Sequence, residues 1–381
     1  MRARPSQGLS LVELLLALAL GLVVTLGLAQ QYAGGRAAAS SLMAQADAQD
    51  SGRYALAFLR QSAAAAGNLG CNGRAVRLMS VLNGDWDDLF EFDLSRPVQG
   101  FDYQGDGTST ALDDWTPSLA PLPRRAGGAT VNALARGTGI RLERLAPGAD
   151  ILVFRRLKQP AFALAAGLAP DGDPVIQDSA SGRLRAGDVA LVSDCQQAAM
   201  FRITRVAAAG PGQSVLRRAP GSGPYDNDGG RSLSESGQRY GGAIHGEGAQ
   251  VAQVVTEIYF VGYGAGRREA GLWRRSGASR PVELVAGIVD LQVWAGVDED
   301  RHDGFDGPNR YVPFSVLPAR GSPSRSPAEG SLPARGSPSR SPAEGSSADD
   351  QVIRSISVAV TATSGEATRR LVQTLSLRNA R

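Results

Sequence analysis

Residues 8–29 read G-L-S-L-V-E-L-L-L-A-L-A-L-G-L-V-V-T-L-G-L-A, and this stretch decides how the rest of the chain must be arranged. Between Leu9 and Ala29 the polar residues are Ser10, Glu13 and Thr25. As a helix the run extends about 31 Å at 1.5 Å per residue, which matches the hydrocarbon core of a bilayer. The sequence therefore predicts one membrane span near the N-terminus.

Glu13 is the least expected residue of this run. An ionised glutamate costs about 2–3 kcal/mol at mid-depth in a membrane, less near the interface, and rarely lies there without a partner. A functional role for Glu13 is therefore the default hypothesis. Two simpler interpretations stay open: a secretory signal cleaved after Gly27-Leu28-Ala29, or a plain anchor in which Glu13 reaches the headgroups.

Charge and composition indicate where the rest of the chain lies. Arg2 and Arg4 precede the apolar run, so the positive-inside rule predicts a cytoplasmic N-terminus and a C-terminal bulk across the membrane. The chain has 381 residues, 43% of them hydrophobic, which is enough to bury a large core. Its net charge of +3 is too small and dispersed to indicate nucleic-acid binding. Arginine pairs recur, and we expect them at solvated strand ends and in loops: Arg124-Arg125, Arg155-Arg156, Arg217-Arg218, Arg267-Arg268, Arg274-Arg275 and Arg369-Arg370.

The helical pattern continues beyond the span to about Ala66. Alanine and polar helix formers dominate residues 36–66, with an intermittent apolar side. The adjacent residues Gly34 and Gly35 cost about 2 kcal/mol relative to alanine, so we expect them to interrupt the helix as a bend or soft joint. The sequence thus predicts two helix halves, one in the membrane and one on the globular domain.

Downstream of the helix the sequence is rich in short strands. Runs of β-forming residues bounded by Gly, Pro or Asp occur at 151–157, 188–192, 199–206, 254–261 and 284–294. The runs 352–362 and 371–377 each place apolar residues on one face, and the short linker between them predicts a hairpin. The expected fold class is α+β, with a long N-terminal helix on a mostly antiparallel β-sheet.

The chain contains two cysteines, Cys71 and Cys195. In an oxidising compartment an even pair favours a disulfide, which would close a loop of about 124 residues and stabilise by roughly 4–5 kcal/mol. Two free core thiols or half of a metal site are the open alternatives.

Acidic residues near position 300 are the candidate metal ligands. Hard oxygen ligands at this density suit calcium, but His302 and Asn309 depart from the EF-hand spacing, so a solvated acidic turn is the favoured interpretation. The weak calcium candidates are Asp298, Asp300, Asp303 and Asp306. No other metal and no cofactor is expected.

A perfect tandem duplication, L-P-A-R-G-S-P-S-R-S-P-A-E-G-S, fills residues 317–331 and 332–346. Its Pro, Ser and Gly content offers little to bury, so we expect a disordered insertion. Catalytic motifs are lacking: neither His245 nor His302 lies in a nucleophile elbow or an H-E-x-x-H pattern, and no phosphate-binding loop occurs. We expect no enzymatic activity.

The segment Gly8-Leu9-Ser10-Leu11-Val12-Glu13, after a short basic leader, resembles the type IV prepilin signal. The resemblance implies that a prepilin peptidase cleaves after Gly8 and methylates the new N-terminus at Leu9. It also implies that Glu13 pairs with the terminal ammonium of a neighbouring subunit, which relieves the desolvation of both charges. The implied organisation is a leader at 1–8, a transmembrane helix half at 9–29, its periplasmic continuation at 30–66 and a β-rich globular domain at 67–381.

Further segments resemble the PilW-type minor pilins. They are Gly70-Cys71-Asn72-Gly73, the stretch from Gly187 to Cys195, the run 284–293 before an acidic loop, and Leu377-Arg378-Asn379. The resemblance implies a pilus assembly protein of the inner membrane that primes or caps the filament. Its implied partners are other minor pilins, the major pilin, the prepilin peptidase, the inner-membrane assembly platform and the lipid bilayer. The alternatives are the large tip pseudopilin of a type II secretion system and a Sec-exported periplasmic enzyme or binding protein.

Overall fold

The structure, a computed structural model, describes most of the helix and of the β-rich part. The described residues are 11–70, 77–84, 89–108, 115–116, 145–177, 184–194, 196–234, 240, 248–264, 266–277, 279, 281–297, 308–317 and 353–377. The duplicated insertion predicted to be disordered lies, apart from Leu317, outside these residues.

One long helix, α1, spans Leu11–Ala65, so it ends one residue before the predicted boundary. The helix is continuous through Gly34 and Gly35, and the predicted interruption at this pair is wrong. Leucine- and alanine-rich turns on both sides of the glycines propagate the helix and offset their cost. The helix ends where Gly67 adopts a positive φ of 67° and its N–H donates to the carbonyl of Arg155 at 3.1 Å.

The strands follow the helix along the chain, and they differ widely in length. Their bounds are β1 Arg77–Ser80, β2 Val98–Tyr103, β3 Trp115–Thr116, β4 Ile151–Leu157, β5 Phe162–Ala163, β6 Val175–Gln177, β7 Val189–Ser193, β8 Gln197–Arg202, β9 Arg205–Gly210, β10 Gln213–Arg217, β11 Gln250–Tyr263, β12 Ala270–Ser276, β13 Val282–Ala286, β14 Ile288–Val297, β15 Arg310–Val312, β16 Ile353–Ser364 and β17 Ala367–Ser376. In the part of the chain that the structure describes, two 3₁₀ turns lie between them, Phe90–Phe92 and Phe314–Val316.

Within the described residues the strands form three sheets, here called A, B and C. Sheet A has ten strands, with the path β1-β8-β7-β11-β4-β2-β3; β12 and β5 also pair with β11, and β13 pairs with β12. Sheet B is β6-β10-β9, and sheet C is β15-β14-β16-β17. The pairing of β1 with β8 is parallel, and the other pairings are antiparallel. The predicted fold class, a long helix on a mostly antiparallel sheet, is therefore confirmed at the level of α+β.

The predicted C-terminal hairpin is confirmed as β16 and β17. The two strands pair directly up to Ser364 and Ala367, so the turn is shorter than the predicted linker. The alternating pattern of β16 places Ile356, Val358 and Val360 in the core, because every second side chain of a strand points to the same face.

Two other predicted runs are each divided between two strands, so those boundaries are wrong. Residues 284–294 belong to β13 and β14 because Gly287, at a φ of 76°, turns the chain between them. Residues 199–206 belong to β8 and β9 because the chain leaves sheet A after Arg202 and enters sheet B at Arg205. The runs at 151–157, 188–192 and 254–261 correspond to β4, β7 and β11.

The main core lies between the second half of α1, the inner face of sheet C and one face of sheet A. Its helix side is formed by small and medium residues, and its sheet side by valine, leucine and isoleucine from β14 and β16 with Phe154 and Tyr259 from sheet A. A second cluster fills the space between β7, β8 and the loops that carry Leu168, Leu233 and Tyr240. The first half of α1 contributes to neither core.

Candidate functional site: the apolar helix half and its anchorage

The first half of α1 projects away from the globular part with its apolar side chains uncovered. Leucine and valine side chains from Leu11 to Leu28 are 55–74% exposed. By its length and composition this helix could cross a membrane, and none of its most apolar stretch is buried. An exposed apolar surface of this size is compatible with lipid or with other apolar helices, and it is costly in water.

Two polar side chains interrupt this surface within the described residues, and they differ in kind. Thr25 Oγ1 donates to the carbonyls of Gly21 at 2.9 Å and Leu22 at 3.0 Å, so its hydroxyl is satisfied inside the helix. Glu13 lies near the start of α1 with its carboxylate on the exposed surface. Thr25 is therefore compatible with an apolar environment without a partner, whereas a charged Glu13 in such an environment requires one.

The second half of α1 is amphipathic and packs on sheet C. Its buried residues are Ala48, Gly52, Ala55, Leu56, Leu59, Ser62 and Ala63. Small residues at the first three of these positions bring the helix axis close to β17, and a Cβ added at Gly52 would lie 2.7 Å from Leu371 Cδ1. The spacing of four and three residues keeps these side chains on one face.

A buried polar cluster fixes the end of the helix to sheet A. Ser62 Oγ donates to Glu257 Oε2 at 2.5 Å and lies 2.8 Å from the hydroxyl of Tyr259. Glu257 and Tyr259 belong to β11, at the centre of sheet A. We call Ser62, Glu257, Tyr259, Arg156 and Arg274 the anchor cluster.

Two arginines of the anchor cluster compensate the charge of Glu257. Arg156 Nη2 lies 2.7 Å from Glu257 Oε1, and Arg274 Nη1 lies 3.7 Å from the same oxygen. Burial acts to raise the pKa of Glu257, but the hydrogen bonds from Arg156 and Ser62 and the two positive charges outweigh it and hold the pKa below its usual value. The carboxylate is therefore ionised and multiply hydrogen-bonded beneath the helix.

The neighbouring residue Arg155 is completely buried and contacts the loop before β2. Its guanidinium donates to the carbonyls of Phe90 at 2.8 Å and Arg96 at 2.7 Å and to Gln99 Oε1 at 2.9 Å. Burial lowers the pKa of Arg155 to about 10. Its backbone carbonyl accepts the hydrogen bond from Gly67, so one residue holds both the loop and the end of the helix.

These contacts correct the prediction that the arginine pairs lie at solvated strand ends and in loops. Arg155 and Arg275 are buried at 0% and 1% exposure, in the middle of β4 and at the end of β12 respectively. Arg217 and Arg267 are instead exposed and pair with Asp173 and Glu283, as expected. Burial of Arg155 is compensated by two carbonyl groups and the Gln99 side chain, and the charge of Arg275 is compensated by the carboxylate of Glu91.

A second buried carboxylate joins sheets A and C. Asp150 Oδ1 accepts from Tyr103 N and Oδ2 from Val293 N, both at 2.9 Å, while its own N–H donates to the carbonyl of Leu291 at 2.7 Å. Burial raises the pKa of Asp150 to about 7 against the lowering effect of these hydrogen bonds, and the charges of Asp102 and Asp290 raise it further. Asp150 thus links β2 and β14 through a group that titrates near neutral pH.

Of the site residues predicted from the sequence, Glu13 is described by the structure. Gly8 and Leu9, the predicted processing position, lie outside the described residues, and so do Cys71, Cys195 and the calcium candidates Asp298, Asp300, Asp303 and Asp306. In the described ranges no group of three or more His, Cys, Asp or Glu side chains is arranged to hold a metal ion. The assignments of these undescribed residues therefore stay predictions.

Sequence reasoning missed the anchor cluster and Asp150. The sequence did carry a signal for the arginines, because Arg155-Arg156 interrupts an otherwise apolar strand of seven residues, 151–157. Charged side chains in such a strand need buried partners. Glu257 within the long apolar strand β11 is the matching signal. For Ser62 no signal exists in a run of alanines.

Comparison of the chain with models of known protein families, with curated proteins and with solved structures gives no match. The functional interpretation therefore depends on the sequence motifs and on the geometry described above.

Proposed function

We propose that the protein is a non-catalytic minor pilin that is anchored in the inner membrane by the first half of α1 and takes part in type IV pilus assembly. The observation that carries the proposal is the division of one continuous helix of 55 residues into an exposed apolar half and a half packed on an antiparallel sheet. A helix of this kind can pack against other helices through its apolar half while its globular part remains separate.

Glu13 gives the proposal its chemistry. It is the sole acidic or basic residue in the described helix before Arg36, and a bundle of apolar helices excludes the water that would solvate its charge. Cleavage after Gly8 would create an ammonium group at Leu9, and such a group on a neighbouring subunit is a suitable counter-charge. Pairing of these two charges would then set the axial register between packed helices.

The anchor cluster supports the same role. A filament subunit has to transmit the position of its membrane helix to its globular part, and this requires a rigid joint. The hydrogen bond from Ser62 to the buried, ionised Glu257 and the contact of Gly67 with Arg155 hold the helix end on sheet A.

The N-terminus of the purified native protein tests the proposal first. Mass spectrometry should find a chain that begins at N-methylated Leu9. A chain that begins at Gln30 would show removal of the apolar helix and would support an exported periplasmic protein instead.

Variants of the two polar residues in the apolar half test the role of Glu13. We expect Glu13→Val to insert into the membrane but to lose filament incorporation or priming. Thr25→Val is the matched control, because its hydroxyl is satisfied within the helix, and it should leave assembly unchanged. Normal piliation from Glu13→Val would overturn the proposed role.

The choice of filament system is tested by deleting the gene and examining surface filaments beside a secretion assay. Loss of pili with intact secretion supports the pilus. Loss of secretion with intact pili would assign the protein to the tip of a type II secretion pseudopilus.

A further inference from the structure

The first charged residue on the C-terminal side of the apolar half is Arg36. It lies seven positions after Ala29, and therefore about 10 Å beyond the apolar run along the helix axis. The headgroup layer of a bilayer extends about 5–8 Å beyond the hydrocarbon core on each side. An arginine side chain is long enough to reach back into this layer from its position on the helix.

The side chain of Arg36 points in that direction. Its guanidinium carbon lies 4.5 Å from the centroid of the Tyr32 ring, one helical turn closer to the apolar half. Helix side chains lean toward the N-terminus, which here is the side of the apolar run. Tyr32 is 62% exposed, so both groups lie on an open surface of the helix.

Arg36 also has no acidic partner of its own. No salt bridge involves it among the described residues, whereas Arg53 further along the same helix pairs with Asp50 at 3.7 Å. The nearest acidic residues along the helix are Glu13 and Asp47, each more than two turns away. A cation with an aromatic neighbour and no protein anion is suited to an external anion.

We propose that Tyr32 and Arg36 form a binding surface for an anionic phospholipid headgroup in the leaflet that faces the globular part. Arg36 donates to the lipid phosphate, and the Tyr32 ring lies at the boundary between headgroups and acyl chains. Tyrosine and arginine are the residue types that hold helix ends at this boundary. The proposal rests on the proposed membrane insertion of α1 and adds a lipid preference to it.

Lipid selectivity of the full chain in vesicles tests the proposal. The protein is reconstituted in phosphatidylcholine with a minor fraction of spin-labelled phosphatidylglycerol or spin-labelled phosphatidylcholine, and the motionally restricted fraction of each is measured. We expect phosphatidylglycerol to be preferred about fivefold by the wild type. Arg36→Gln should abolish the preference and Tyr32→Ala should reduce it, while Arg53→Gln should retain it.

Two outcomes would overturn the inference: equal association of both lipids with the wild type, or a preference that Arg36→Gln retains. Loss of the preference on adding millimolar inorganic phosphate at constant ionic strength would also overturn it, because the surface would then bind free phosphate. Alkaline extraction of the same vesicles separates this failure from that of the proposed function. A chain that is extracted is not inserted, which overturns both proposals, whereas an inserted chain without lipid preference overturns the lipid surface alone.

Discussion

Ser62 on α1 and Glu257 on β11 are joined by a hydrogen bond of 2.5 Å, although 195 positions separate them in the chain. Ser62 lies in the last turn of a helix whose first half is apolar and exposed. Glu257 lies at the centre of the largest sheet and is ionised through its contacts with Arg156 and Arg274. The contact therefore couples the projecting helix to the central strand of sheet A.

The first prediction concerns Glu257. Glu257→Gln removes the charge that Arg156 and Arg274 compensate, and we expect it to lower the free energy of unfolding by about 1.5–3 kcal/mol. Chemical unfolding of the full chain in detergent micelles, followed by tryptophan fluorescence, measures the loss. Because the pKa of Glu257 is lower in the folded state, its stabilisation is present at neutral pH and is lost as the pH falls through the folded-state pKa.

The matched control for Glu257 is Glu283, which pairs with Arg267 on the surface at 3.1 Å. Since exposed pairs contribute about 0–1 kcal/mol, Glu283→Gln should have little effect. Equal losses from the two variants would show that the buried cluster has no special role.

The second prediction concerns Asp150. Its pKa is raised to about 7, so between about pH 4 and pH 7 the folded state holds a proton that the unfolded state has released. Each rise of one pH unit in this range should therefore lower the free energy of unfolding by up to about 1.4 kcal/mol through this residue. Asp150→Asn removes the titration, and the slope of stability against pH should become flatter across that window.

Unfolding curves at half-unit pH steps measure this slope. Glu366→Gln in the exposed turn of the C-terminal hairpin is the control and should leave the slope unchanged. A slope in Asp150→Asn identical to that of the wild type would show that Asp150 does not titrate in this range.

The third prediction concerns the turn between β13 and β14. Gly287 has a φ of 76°, and a Cβ at this position would lie 2.6 Å from the carbonyl oxygen of Thr363. A residue other than glycine at this positive φ costs about 1–3 kcal/mol in backbone strain alone. Gly287→Ala adds the clash with Thr363 and should therefore lower the free energy of unfolding by more than this amount. Gly365 has a φ of 57° but open space around its Cβ position, so Gly365→Ala supplies the strain without the clash. Thermal unfolding of the two variants should rank Gly287→Ala clearly below Gly365→Ala.

The fourth prediction is the disulfide between Cys71 and Cys195. The residue before Cys71 is close to the strand that precedes Cys195, because Gln250 Nε2 donates to the Gly70 carbonyl at 2.7 Å and Gln250 pairs with Ser193 across β11 and β7. Intact mass measurement after alkylation without reductant should find no labelled thiol. Cys71→Ser and Cys195→Ser should each lower stability by up to about 4–5 kcal/mol and expose one labelled thiol. Two labelled cysteines in the unreduced wild type would contradict the prediction.

Local patterns in the sequence predicted much of the fold. The apolar run, the alanine-rich continuation and the alternation in the last two strands depend on neighbouring residues, and they correspond to α1, β16 and β17. The boundaries that failed depended on other parts of the chain. Gly34-Gly35 continues the helix because the turns around it propagate, and residues 284–294 divide at Gly287 because Ala270 and Thr363 bond to that residue from two other strands.

The features of the candidate site also fall into two groups, those that follow from the sequence and those that depend on distant parts of the chain. An apolar helix that carries one carboxylate follows from the order of residues 9–29, because length and composition are properties of the sequence. The exposure of the described part of this helix is a property of the tertiary structure, since a helix of the same composition can also lie in a protein core. The ionisation of Glu257, the raised pKa of Asp150 and the burial of Arg155 arose only when strands distant in sequence came together. Each of these depends on desolvation and on hydrogen-bond partners that the chain order does not specify, and therefore the tertiary structure alone decided them.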